Sequence, residues 1–188
     1  MENSRWLVLG LGNPGTSYAQ TRHNIGQMVI NYLAVNSKFS THKSKTEIAD
    51  IRVAGQAVTL AKSQGYMNDS GGPTKALADF YKVDAAHLIV IHDEIDIPFN
   101  TIRIKIGGSD NGHNGLKSIT KHFASSDYYR IRIGVDRPPA PQDPADFVLK
   151  PFSSNEKTAL NDFIARGALA VERLIEKGLE QAQQEFNK

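Results

Sequence analysis

Hydrophobic positions along the 188-residue chain repeat in two ways. Continuous apolar runs bounded by turn residues predict buried strands. Trp6-Leu7-Val8-Leu9-Gly10-Leu11 runs into a glycine turn, and His87-Leu88-Ile89-Val90-Ile91-His92 ends in Asp93-Glu94-Ile95-Asp96. Strand-like alternation covers 101–106 and 129–135, the latter carrying Arg130 and Arg132 on one face. Stretches 48–53 and 57–61, separated by Gly55-Gln56, predict a hairpin. Spacings of three and four among Ile25, Met28, Val29, Tyr32 and Leu33 predict a helix over 24–38. Further helices are expected over 73–81, with Pro73 near the first turn, and over 113–123. From 155 onward, Leu160, Phe163, Ile164, Leu169, Val171, Leu174, Ile175 and Leu179 predict one long amphipathic helix. Residues 137–141, rich in proline, read as a loop.

Strands interleaved with helices predict an α/β fold. The expectation is a single domain over 1–188, with a twisted mixed β-sheet flanked by helices on both faces. Sites in open α/β sheets form beyond the C-terminal ends of strands. Both the Gly10 turn and the Asp93 cluster would lie there.

No apolar run approaches the roughly 20 residues of a membrane-spanning helix, so no membrane contact is expected. The opening Met1-Glu2-Asn3-Ser4-Arg5-Trp6 lacks the pattern of a signal peptide. With no cysteine, disulfides and thiolate metal sites are excluded. These features together fit a cytoplasmic protein. The net charge is only +2. Its distribution says more, because seven basic and three acidic side chains fall between Ile102 and Arg137. That excess suits a phosphate-bearing partner, and on charge alone it equally suits a solvated face with ordinary ion pairs.

Polar residues cluster in five places. The densest is 107–118, where four glycines, two asparagines and a histidine fall within nine residues before a predicted helix. Glycine allows close backbone approach, and a helix start offers N–H groups to a polar or anionic ligand. Gly10-Leu11-Gly12-Asn13-Pro14-Gly15 has the form of a dinucleotide fingerprint. Residues 30–46, however, contain no Asp or Glu to hold a ribose. The turn is then either purely structural or a mount for Asn13. His23, at a predicted helix start, could be a structural histidine. It could also serve as a general base near neutral pH, since Asn13 and Tyr18 share its loop and Asp93 could stand across from it. Residues 65–72 and 92–94 taken alone are ordinary polar loops, the second also a weak metal candidate. No metal-ligand spacing and no G-x-S-x-G serine motif occurs.

In order, the chain carries Gly-Leu-Gly-Asn-Pro-Gly, Tyr-x-x-Thr-Arg-His-Asn, Tyr-Met-Asn-x-Ser-Gly, His-Asp-Glu-x-Asp and Gly-Gly-x-x-x-Gly-His-Asn-Gly-Leu-Lys-Ser. This series closely resembles the bacterial peptidyl-tRNA hydrolase family from about 7 to 150; the tail is similar only in helical character. The resemblance implies hydrolysis of the ester between a peptide and the terminal ribose of tRNA, without cofactor or metal, by a monomer that recycles tRNA from abandoned translation. It makes His23 the general base, Asp93 its orienting partner, and Asn13, Asn68 and Asn114 the holders of peptide and carbonyl. In the family the position of Asn13 also helps separate a blocked amine from a free one. Tyr18, Tyr66 and Met67 would line the substrate channel, with His113 also at the substrate, and Lys105 and Arg132 would contact tRNA phosphates. Asn111 stands where the family often has Gly, and Asp110 where it often has a small residue or His. The alternatives are a non-catalytic RNA-binding relative of the same fold, which would have no chemical need for His23 and Asp93, and a dinucleotide-dependent oxidoreductase.

Overall fold

The computed structural model describes residues 4–188; Met1, Glu2 and Asn3 of the opening segment lie outside the described residues. Seven strands form one sheet: β1 (Trp6–Gly10), β2 (Ser40–His42), β3 (Thr46–Val53), β4 (Gln56–Ser63), β5 (Leu88–Glu94), β6 (Ile102–Ile106) and β7 (Tyr129–Gly134). Their order is β2-β3-β4-β1-β5-β7-β6. The pairs β1–β4, β1–β5 and β5–β7 are parallel, and the outer pairs antiparallel. The helices are α1 (Ile25–Leu33), α2 (Gly71–Tyr81), α3 (Asn114–Phe123), α4 (Pro144–Val148), α5 (Ser154–Lys177) and α6 (Leu179–Phe186).

The apolar runs of β1 and β5 have a simple cause: both faces of these strands are covered. Leu7, Leu9, Leu88 and Val90 pack with Leu77 of α2 and Leu116 and Ile119 of α3. Val8, Ile89 and Ile91 point the other way, against Ile25, Val29 and Ile30 of α1 and Phe163 and Val171 of α5. The expected mixed sheet with helices on both faces is thus observed. Among the described residues, no helix is long and apolar enough to cross a membrane.

The element bounds depart from expectation in four places. Over 24–38, α1 stops at Leu33, and tighter turns follow from Val35 N to Tyr32 O and from Ser37 N to Ala34 O. Asn36 and Ser37 lie there, residues whose side chains compete for backbone groups. The single helix expected from 155 is two, divided at Gly178, whose φ of +86° leaves helical space. Ser40–His42 adds an edge strand too short for any period to show. Within the segment after the proline loop, α4 forms, with Asp143 accepting a capping bond from Ala145 N and Pro144 in its first turn.

Parallel pairing puts the C-terminal ends of β1, β4, β5 and β7 at one sheet edge. The loops bearing Asn13, Met67 and Asn68, and Asp93 therefore converge. The block 107–113 arrives differently. Since β6 is antiparallel to β7, it ends at the opposite edge, with Ile106 beside Tyr129. The glycine block then runs back along the α2–α3 face to reach Asp93.

Candidate active site

His23 sits on a 3₁₀ turn (Arg22–Asn24) that leads into α1. That turn lies close to the sheet because two glycines let α1 approach. A Cβ on Gly26 would come within 2.2 Å of the Ile91 carbonyl oxygen, and one on Gly10 within 2.3 Å of the Gly26 oxygen. The first glycine of the apparent dinucleotide fingerprint is therefore a packing residue. Asn24 clamps the Asn13 loop to the same turn. Its Oδ1 accepts from Asn13 N and its Nδ2 donates to Asn13 O, both at 2.9 Å.

The centre of the site is Asp93, only 4% exposed, at the end of β5. His23 Nδ1 lies 2.8 Å from Asp93 Oδ2, and His113 Nε2 lies 2.8 Å from Asp93 Oδ1. Proton positions follow from the bonding. His113 Nδ1 accepts from Gly115 N and Leu116 N, capping α3, so its proton must be on Nε2 and donate to Asp93. His23 then donates its Nδ1 proton to the second oxygen, which leaves Nε2 as a free base. Burial by itself pushes the His23 pKa down; the Asp93 charge and hydrogen bond outweigh it and raise the value above 6.5. Burial likewise opposes ionisation of Asp93, yet the two imidazoles hold its carboxyl well below the usual carboxylate range. Beneath them His92, 1% exposed, donates from Nδ1 to the Asp93 carbonyl at 2.8 Å. Burial and the neighbouring His113 push its pKa down to about 3, so it stays neutral.

His23, Asp93 and His113 also have the composition of a metal triad, their ligand atoms lying within 4.8 Å of one another. The bonding disfavours that use. An imidazole that binds metal through Nε2 carries its proton on Nδ1, and His113 Nδ1 already faces two backbone N–H groups.

Around His23 lies a cleft of about 360 Å³ lined by Asn13, Met67, Asn68, Asp93, His113 and Asn114, with Pro144, Ala145, Val148 and Leu149 forming an apolar wall. Asn13 Oδ1 accepts from Met67 N at 2.8 Å, which orients the amide and leaves its NH₂ for a ligand. Asn68 and Asn114 are exposed on their loop and helix start. Tyr18 and Tyr66 are not among the cleft-lining residues; they meet edge to face at 6.3 Å, with Tyr66 largely exposed.

Lys105 and Arg132 share a second neighbourhood. Antiparallel register pairs Arg103 with Arg132 and Lys105 with Arg130 on one face. Burial first, and then Arg132 and Arg130, push the Lys105 pKa below its ordinary value. Nε of Arg130 and of Arg132 is buried without a hydrogen-bond partner among the described residues. The excess of positive charge here, offset in part by Glu94, favours an anion. The two terminal nitrogens of Arg130 are engaged elsewhere: Nη1 donates to Ser109 O at 2.6 Å and Nη2 to Gly108 O at 2.9 Å, bracing the returning glycine block.

Sequence reasoning did not single out three contributors. Asn24 and Arg130 act as braces, and their partners are backbone atoms far along the chain. The α4 wall had a local signal in Asp143-Pro144, a cap followed by proline. Asn111, one of the two departures from the family pattern, adopts a φ of +51° and turns its amide to Glu94 and Asp96; Asp96 also accepts from Arg137 Nε at 2.6 Å. Asn tolerates this left-handed backbone where most residues do not.

Known proteins match this arrangement over nearly all of its length. Peptidyl-tRNA hydrolase of Rhodococcus erythropolis is 52% identical over 186 residues, covering 97% of this chain and 98% of the relative. That of an Arthrobacter species (strain FB24) is 50% identical over 186 residues, covering 97% and 96%. The crystal structure of peptidyl-tRNA hydrolase from Acinetobacter baumannii superposes with a TM-score of 0.88 at 32% identity, covering 98% of this chain and 95% of that one. The family model for peptidyl-tRNA hydrolase matches residues 7–188, and the chain belongs to that family.

Proposed function

We propose that this chain hydrolyses the ester of peptidyl-tRNA with His23 as general base and Asp93 as the group that orients it. The observation that carries this reading is the 2.8 Å contact between His23 Nδ1 and Asp93 Oδ2 at the floor of an amide-lined cleft. His23 Nε2 takes a proton from water as the water oxygen attacks the ester carbonyl carbon. The tetrahedral intermediate collapses by breaking the bond to the ribose oxygen, which takes the proton back from His23. Peptide acid and free tRNA leave. Asp93 remains ionised throughout and stabilises the imidazolium. An ester needs no stronger activation than a positioned water, a base and amide donors to the carbonyl oxygen.

Asn13 adds selectivity. Its NH₂, left without a partner among the described residues by the bond from Met67 N to Oδ1, can donate to a carbonyl in the cleft, so it suits the amide of a blocked aminoacyl group. Against a free ammonium, itself only a donor, it is mismatched. Asn68 and Asn114 supply further amide contacts that read peptide backbone without reading side chains. Met67 lines the cleft, His113 holds Asp93, and Tyr18 and Tyr66 flank the path outward. Lys105 and Arg132 hold phosphates of the tRNA. The enzyme works as a cytoplasmic monomer, without metal or cofactor.

The test is release of peptide from N-blocked aminoacyl-tRNA, with chelator present and unblocked aminoacyl-tRNA as control. Wild type cleaves only the blocked substrate. His23→Ala lowers turnover by roughly 10²-fold or more and leaves tRNA affinity nearly intact. Normal turnover in the variant would remove His23 from the chemistry, and an inert wild type would point to a non-catalytic RNA binder.

A further inference from the structure

Arg22 precedes the base and has no part in the steps above, yet it is only 6% exposed. Its guanidinium turns toward the cleft's outer wall. Nη2 meets Glu156 Oε1 at 2.8 Å, and Nη1 donates to the Phe147 carbonyl at 3.2 Å. The guanidinium carbon lies 3.9 Å from the centre of the Phe147 ring. The Arg22 backbone N–H donates to Lys150 O at 3.1 Å, and Thr21 bridges to Pro151. Glu156 Oε1 also accepts from Ser153 N at 2.8 Å, in the capping box that starts α5. A single planar fork therefore joins three pieces: the turn that carries His23, the α4 wall, and the first turn of α5. An exposed ion pair would do little here, but this one is largely desolvated and has a second partner in a backbone carbonyl.

We propose that Arg22 is a positioning residue that sets the α4 wall at a fixed distance from His23 and Asp93, so that the wall forms the surface on which the peptide side of the substrate binds. The proposal rests on the cleft being a peptidyl-tRNA site. His23 has supports of its own, in Asp93 and in the Asn24 clamp on the Asn13 loop. Loss of the Arg22 side chain therefore moves the wall and leaves the base in place. The cost falls on substrate binding, and the protonation behaviour of the base is unchanged.

Arg22→Gln, Arg22→Lys and Glu156→Gln test this with blocked aminoacyl-tRNA and with amide hydrogen exchange over residues 144–150. Arg22→Gln and Glu156→Gln should raise KM about tenfold, keep kcat within about threefold, and leave the pH dependence of kcat where it was. Exchange should quicken at Phe147 and Lys150, whose N–H groups bond within the α4 segment. Arg22→Lys should recover part of the KM, because an ammonium reaches one partner and cannot fork to two. If Arg22→Gln does not fold, Glu156→Gln removes the same ion pair from the α5 side. An unchanged KM in the folded variants overturns the positioning role. So does a loss of kcat at constant KM, which marks an effect on the transition state and not on substrate binding. An inert wild type would overturn the reading of the cleft, and the positioning role with it. Exchange would still report whether Arg22 anchors α4.

Discussion

Asp93 accepts one hydrogen bond on each oxygen, and its two donors differ in freedom. His113 cannot move its proton to Nδ1, where Gly115 and Leu116 already donate. His23 can change tautomer. Asp93→Asn makes this difference decisive, because an amide has only one oxygen. The oxygen must face His113 Nε2–H, and the NH₂ then faces His23 Nδ1. His23 is forced to accept there and to carry its proton on Nε2, the atom that should be the base. Turnover should fall about 10²- to 10⁴-fold with little change in stability. Nitrogen-resolved NMR should show the His23 proton moving from Nδ1 to Nε2; an unmoved proton with near-normal turnover would refute the tautomer argument. The pH dependence has a definite sign as well. A raised His23 pKa means that the base keeps its proton to higher pH, so wild-type hydrolysis should rise with pH through a midpoint above 6.5. In the variant the charge that raised it is gone and burial remains, so residual activity should titrate at lower pH.

Helix α1 carries the His23 turn at its start, and its seating depends on the absence of one side chain. Ala is the better helix former, by about 1 kcal/mol over Gly. At position 26 that gain is overwhelmed, since the added Cβ would lie 2.2 Å from the Ile91 oxygen and 2.8 Å from Leu11 N, both backbone atoms that cannot rotate away. Gly26→Ala should therefore cost about 2–3 kcal/mol in denaturant unfolding and misplace His23 as α1 lifts. A variant as stable and active as wild type would show that the helix can slide. Elements of this kind divide cleanly by legibility. β1, β5 and α1 are readable because each buries a face or a stripe, and burial imposes a period on the sequence. The strand Ser40–His42 buries neither face, and so carries no period. The break at Gly178 is hidden because the apolar stripe continues past it into α6. The motif residues His23 and Asp93 are readable as candidates; their pairing needs the parallel register of β1 and β5. The double duty of His113, as cap for α3 and donor to Asp93, has no sequence signal beyond its place in a glycine-rich block. Its bonds run to a residue 20 positions away and to its own helix.

Across the whole molecule, the proposed sites of bond cleavage and of tRNA grip occupy different ground. His23, Asp93 and the amides lie at the C-terminal edge of the parallel strands. Lys105 and Arg132 lie on β6 and β7, on the face along which the glycine block returns. The modest net charge hides this, since Arg103, Lys105, Arg130 and Arg132 share one face of β6 and β7 and are balanced by acidic groups elsewhere in the chain. Grip through phosphates should be independent of base identity and sensitive to salt. Arg132→Ala should weaken tRNA binding and reduce the slope of log affinity against log salt by roughly 0.7–0.9 for each phosphate no longer neutralised. Hydrolysis of a short peptidyl-nucleotide, which carries the ester but not the distant phosphates, should be unaffected. Arg130→Ala is the wrong probe for this question, because its guanidinium braces Gly108 and Ser109 and its loss would disturb the approach to Asp93. Equal losses on tRNA and on the short substrate in Arg132→Ala would mean that the β6–β7 face supports the cleft itself. A loss confined to tRNA, with the shallower salt slope, would mean that the sheet holds the polymer on one surface and cuts it at another.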